Sequence, residues 1–155
     1  MRCLTVYLNN RMYKKQISIN TSVDKVWNAL TQPEEMRNWY FSISNFEATE
    51  GAVFDFIVSF TDEAGEHSFR HLFKILEVIP NEKLRHTWEH PGHSEGTSTL
   101  TWELIPGEET TTVILTHEGN ESFLDEGSKY FTAESYTAGW NDILQGLKDY
   151  LENEV

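Results

Sequence analysis

Apolar positions along this chain follow two rhythms. From Tyr136 to Leu151 they recur at helical spacing, with Tyr136, Trp140, Ile143, Leu144, Leu147, Tyr150 and Leu151 inside an arc of about 120° when residues advance by about 100°. Asn141, Asp142, Gln145, Lys148, Asp149 and Glu152 take the other side, so the stretch reads as a surface helix pressing one face onto a support. Gly139 and Gly146 lie together at one border of the stripe, where a missing Cβ costs helix stability but permits close approach or leaves space.

The second rhythm is alternation, the mark of half-buried strands. Tyr13, Ile17 and Ile19 share a face of a first strand that stops at Asn20-Thr21-Ser22. Thr21 or Ser22 can then cap a helix from Val23 to Leu30, with Asp24 in its first turn and Val23, Val26, Trp27 and Leu30 on its apolar side. Pro33 breaks that helix and opens a second short one ending at Trp39. Alternating segments follow at Ile43–Phe46, Ala52–Phe60, His67–Ile79, Lys83–His90, Thr97–Ile105 and Thr110–Glu118, separated by turn signals such as Glu50-Gly51, Pro80-Asn81 and Pro106-Gly107. In His67–Ile79 the parity slips after Ile75, which predicts a bulge or a sheet edge there. The order β-α-α-β(6)-α describes an α+β fold, a curved antiparallel sheet with one wet face wrapped around the C-terminal helix. A single domain over residues 1–155, with its core at about 11–152, accommodates all of it.

Composition narrows the partners. With 12 Lys and Arg against 25 Asp and Glu the net charge is −13, which repels phosphate backbones and anionic membranes, so neither nucleic acid nor membrane is expected as a partner. No apolar run approaches the ~20 residues of a membrane span, and the first residues lack a signal-peptide core. The single cysteine, Cys3, forms no internal disulfide and fits a reducing, cytoplasmic setting. Aromatic residues make up 13% of the chain, including five Trp, enough either to fill a core or to wall a pocket.

The order of several local patterns resembles the START-like helix-grip (SRPBCC) superfamily, and within it bacterial proteins similar to the C-terminal domain of the activator of Hsp90 ATPase (AHSA1-like). The patterns are Val26-Trp27-Asn28-Ala29-Leu30-Thr31 before Pro33-Glu34 and Trp39, Glu50-Gly51 before Phe54-Asp55-Phe56, and Glu77-Val78-Ile79-Pro80 before Leu84 and Thr87-Trp88. Leu115-Thr116-His117 and Gly139-Trp140 with Leu144 and Leu147 complete them, and the resemblance covers roughly Tyr13 to Leu151. Gly51-Ala52 stands where the family usually has two glycines. The resemblance implies a cavity between the concave sheet and the last helix, which holds apolar small molecules in relatives and supports cyclase, aromatase or hydrolytic chemistry in a minority. It implies no single function, so the site has to come from residues.

Strand parity turns Phe54, Phe56, Phe73, His86, Trp88, Trp102 and His117 inward, where Tyr136, Gly139 and Trp140 of the last helix would face them. Apolar walls with a few polar groups are the usual form of a small-molecule site, and these ten are the candidate ligand-binding residues. The competing expectation is that the same rings simply fill the core. His86, His90 and His117 share a parity and could in principle gather a metal, but with no Cys ligand, no H-x-x-x-H on a helix and no matching carboxylate, none is expected. The acidic run Glu118–Glu126 does not have the spacing of a calcium loop and reads as a solvated turn. The chain contains no G-x-S-x-G, Walker loop, G-x-G-x-x-G or Cys/His nucleophile pair, so no cofactor is expected and no residue is assigned a catalytic role. Three readings follow in order of preference: a monomeric binder of an apolar small molecule, a partner of an Hsp90-type chaperone, and a cyclase- or hydrolase-like enzyme using His86 or His117.

Overall fold

A computed structural model describes residues 12–43, 45–91, 97–119 and 133–153, with side chains given from Tyr13 onward and, in the last helix, from residue 137. Strand β1 (Met12–Ile19) leads into helices α1 (Val23–Thr31) and α2 (Pro33–Trp39). Strands β2 (Val53–Asp62), β3 (Gly65–Ile79), β4 (Lys83–Trp88), β5 (Ser98–Pro106) and β6 (Thr111–Glu118) follow, and helix α3 (Ala133–Glu152) closes the chain. The strands form one antiparallel sheet in the order β1-β6-β5-β4-β3-β2, curled around α3 in the predicted α+β helix-grip arrangement.

The boundaries follow the punctuation. Ser22 holds the position before α1, and its carbonyl accepts the Val26 N–H at 3.3 Å. Its hydroxyl serves the Asp24 carboxylate rather than a backbone N–H and holds that carboxyl below its ordinary range. The register of β3 on β4 shifts between Ile75 and Glu77, which is the bulge that the slip of parity predicts. Asn81 takes φ 64° in the turn after β3, a conformation that asparagine tolerates because its short polar side chain bonds locally. Gly51 takes φ 90° and donates to Ile75 O at 2.8 Å, while Ala52 O accepts from Ile75 N at 2.9 Å. One glycine therefore suffices for the bend at which the family resemblance implies two.

One expected element is not formed. Ile43, Asn45 and Phe46 lie in irregular backbone, where Phe46 N donates to Ile43 O at 3.1 Å in a tight turn. The Ile43 and Phe46 side chains are nonetheless buried, so their apolar alternation reflects anchoring and not strand pairing. Among the described residues five strands follow the short helices instead of six. The acidic run beyond Gly119, with Phe123 and Leu124, lies outside the described residues.

Helix α3 covers the concave face. Trp140, Leu144, Leu147 and Leu151 are buried against Leu100, Trp102, Val113 and Leu115, and each such side chain contributes about 1.5–3 kcal/mol by leaving water. Tyr13 Oη donates to Asn141 Oδ1 at 2.8 Å, and Lys148 Nζ donates to Ser18 O at 2.7 Å, tying α3 to β1. A Cβ on Gly146 would sit 3.7 Å from Trp39 O, so this glycine is where α2 approaches α3. Trp39 in turn donates its indole N–H to Ala29 O at 2.9 Å. Among the described residues no helix is long and apolar enough to cross a membrane.

Candidate functional site

The inward row of the central strands is as the alternation predicts: Phe73, His86, Trp88, Trp102 and His117 are all buried on the concave side. Trp140 meets them from the helix, its ring centroid 5.2 Å from Trp88 and 5.5 Å from His117. Where the pattern places a ligand between sheet and helix, these described rings lie against one another.

A directed chain of hydrogen bonds holds them. Ser98, opposite Trp88 at the start of β5, donates its hydroxyl to Trp88 O at 3.0 Å. That proton being spent, the 2.7 Å contact between Ser98 Oγ and His117 Nε2 must be donated by the imidazole. His117 is then the Nε2–H tautomer, and its Nδ1 lone pair accepts the Trp140 indole N–H at 3.0 Å. Burial, with a smaller contribution from nearby His86, pushes His117 down to about 3, so the ring is neutral near pH 7. Both nitrogens are committed to structure, which leaves neither to take a proton from a substrate.

His86 differs. Its Nδ1 lies 2.8 Å from Thr87 O, and because a carbonyl can only accept, the proton sits on Nδ1 and the Nε2 lone pair is left over. Burial pushes His86 down to about 4. His90 is buried at the other end of the row with its ring 4.8 Å from His71, so the three histidines do not converge. Among the described residues no group of three or more His, Cys, Asp or Glu gathers as a metal site would require.

The remaining predicted residues divide. Phe54 and Phe56 are half-buried on β2 and join the row at its edge, Phe56 with its ring centroid 5.8 Å from Trp88 and Phe54 5.7 Å from Phe73, while they also wall open space beyond it. Gly139 is exposed, and among the described residues nothing lies within 4 Å of where a Cβ would stand, so it points to open space and not at the row of rings. The side chain of Tyr136 lies outside the described residues.

Open space lies at the β2 end of the sheet. A groove of about 830 Å³ runs between β2 and the segment from Arg37 to Asn45, with Tyr40, Phe41, Ile43, Phe54 and Phe56 among its walls. Its lining is organised by stacking: Phe41 lies on Phe56 at 4.6 Å between centroids, and Phe56 lies on His71 at 4.9 Å with 11° between planes. Phe46 and Phe73 pack behind Phe54 at 5.1 and 5.7 Å. Tyr40 also walls a second, interior void of about 10 Å³ that it shares with His86, Phe73 and Trp102. Tyr40 and Phe41 are the residues that sequence reasoning missed, because they lie between a helix and the next alternating segment and have no period of their own, whereas Ile43 was read only as the start of a strand. The one available signal was three consecutive aromatics, Trp39-Tyr40-Phe41, at the end of a helix.

Comparisons with known proteins place the fold. No match was found among curated protein sequences. Among solved structures the chain is similar to DynU16, a putative protein in the dynemicin biosynthetic locus, at 25% identity and TM-score 0.71, covering 92% of this chain and 48% of that one. The chain thus spans about half the length of that relative. A protein from Mesorhizobium loti matches at 21% identity and TM-score 0.72, over 94% of this chain and 100% of its own. The Aha1 dimer from Colwellia psychrerythraea matches at 24% identity and TM-score 0.66, over 92% and 96%. The last two likenesses carry the fold alone. The model of the activator of Hsp90 ATPase homolog 1-like proteins matches residues 20–152, and the chain belongs to that family.

Proposed function

We propose that the protein binds an apolar small molecule in the groove between β2 and the Arg37–Asn45 segment. The observation that carries this reading is the groove itself. Its volume of about 830 Å³ falls in the range of roughly 300–1,000 Å³ common for ligand sites. Tyr40, Phe41, Phe54 and Phe56 give the groove aromatic walls, and Arg37, Ser42, Asp55 and Ser59 line it with a few polar groups. A relative from a biosynthetic locus agrees with a small-molecule ligand. The chaperone-partner reading rests on the family description alone.

Titration with 2-methoxynaphthalene, followed by backbone amide shifts, tests the site. Shifts are expected on Phe41, Phe54 and Phe56, and Phe41→Ala is expected to weaken binding about tenfold, worth about 1.4 kcal/mol. Shifts confined to the residues around Trp140 would move the site back under α3. No binding of flat apolar probes at millimolar concentration would end the reading.

A further inference from the structure

Strand β2 ends the sheet, and among the described residues its only sheet partner is β3, reached through the turn Glu63-Ala64. Backbone groups of an antiparallel strand point alternately to one side and the other. Ala52 O accepts from Ile75 N at 2.9 Å, so the even positions bond to β3. The residues opposite the odd positions bond away from β2. Leu72, which faces Asp55, exchanges both of its backbone bonds with Glu89, and Lys74, which faces Val53, donates its N–H to Thr87 Oγ1 at 2.8 Å. The N–H and C=O groups of Val53, Asp55, Ile57, Ser59 and Thr61 are therefore aimed outward along the edge.

Edges that stay single are blunted by lysine, proline, a bulge or a covering element. β1, at the other end of the sheet, has Lys14 and Lys15 in its middle and α3 held across it by Lys148 on Ser18 O. β2 has no such device. It contains neither Lys nor Pro, its ten positions pair with β3 without a shift, and its one mid-strand charge, Asp55, is matched by Arg70 at 2.9 Å. Val53 and Ile57 stand 56% and 64% exposed on the convex face beside this edge. The groove borders every position from Val53 to Ser59, which leaves room along the strand.

A strand added here has to match the outward set without setting like charges opposite one another. A second β2 does so. In an antiparallel pair about a two-fold axis at Ile57, Ile57 meets its own copy, Asp55 meets Ser59 and Val53 meets Thr61, so each outward position is partnered and no carboxylate faces another. An axis at Asp55 would oppose two carboxylates. On the concave side the same register lays Phe56 against Val58 and Phe54 against Phe60, which carries the apolar rows across the junction. We propose that β2 is a self-association edge, where two copies join antiparallel about Ile57 into one continuous sheet. A net charge of −13 on each chain repels the other copy. A single strand edge also falls short of the roughly 1,200–2,000 Å² of a stable interface, so the dimer is weak and is strengthened by salt. This pairing does not depend on a ligand in the groove.

Sedimentation equilibrium of the ligand-free chain from about 10 μM to about 1 mM in ~0.3 M salt tests it, with a dimer Kd on the order of 100 μM expected. Ile57→Lys sets two cations opposite on the axis and is expected to weaken the dimer about tenfold or more with the melting temperature unchanged. Ser59→Lys and Thr61→Lys alter net charge equally, but only the first faces Asp55 of the other copy, so its dimer should be about threefold tighter. Amide exchange supplies an independent readout: raising the concentration should slow Asp55, Ile57 and Ser59 but not Phe54 and Phe56, which already bond to β3. A chain that stays monomeric across the range overturns the proposal and leaves the edge to a strand of another protein. Self-association that Ile57→Lys leaves intact lies elsewhere and overturns it too. Equal affinities of the two lysine variants overturn the register about Ile57.

Discussion

At the scale of single residues, His117 shows how a polar group becomes a fastener. Every proton in the line Trp140, His117, Ser98 and Trp88 O points the same way, so each link depends on the tautomer that the previous one selects. Ser98→Ala leaves the His117 Nε2–H buried without its acceptor and is expected to cost about 1–3 kcal/mol, as is Trp140→Phe at the other nitrogen. Because both act through one ring, the double variant should cost less than the sum, which urea unfolding of the four proteins in a double-mutant cycle measures. Strict additivity would show that the line is not a unit. The inward placement of His86, Trp88, Trp102 and His117 was legible because alternation fixes which face a strand residue takes. Which atoms these side chains meet was not, since the Trp140 contact spans the gap between a sheet and a helix whose distance no local pattern encodes. Tyr40 was invisible for a related reason: its role comes from the walls around it and not from any repeat in its own segment.

At the scale of elements, the stripe of α3 was read correctly where it is widest. Leu144, Leu147 and Leu151 are buried and Ile143 and Tyr150 half-buried, so the helical period carried that half of the element. Its two glycines carry different roles that periodicity could not separate. Gly146 lies against α2, whereas Gly139 lies in the open. An exposed glycine inside a helix costs about 1 kcal/mol relative to alanine, so Gly139→Ala should stabilise the protein by about that amount and leave binding of 2-methoxynaphthalene unchanged. Thermal unfolding and the same titration check both halves; a weakened affinity would restore Gly139 to the ligand site. Strand periods also misled once, at Ile43–Phe46. Two buried apolar residues near each other in a turn leave the same trace as a short strand, and only the hydrogen bond from Phe46 N to Ile43 O tells them apart.

At the scale of the whole molecule, two buried neutral histidines make global stability depend on pH. An unfolded histidine takes up a proton as pH falls below about 6.5, whereas in the folded protein His86 and His117 wait until about 4 and about 3. The unfolded state therefore binds more protons in this window, and stability is full above pH 6.5 and falls as the medium is acidified towards pH 4. Each group contributes about 1.4 kcal/mol per pH unit across the window, an order-of-magnitude figure. Urea midpoints at pH 8, 6, 5 and 4.5, taken in ~0.3 M salt to screen the excess of carboxylates, should decline steadily below pH 6.5. A flat profile would mean that the two rings are not held neutral.

The first strand to be synthesised is the last to find its place in the sheet. Among the described residues strand β1 finds its only sheet partner in β6, and Thr21 O receives its bond from Thr111 Oγ1, 90 residues later. Lys148 and Glu152 of α3 return to Ser18 O and Asn20 N across 130 and 132 residues. While the chain emerges at about 5–20 residues per second, the first strand therefore waits several seconds with its edge unpaired. Non-local pairing of this kind sets a slow folding step, on the order of milliseconds to seconds. The β2–β3 hairpin, whose strands meet through a two-residue turn, has no such delay, so the end of the sheet that walls the groove can form before the end that anchors the helix.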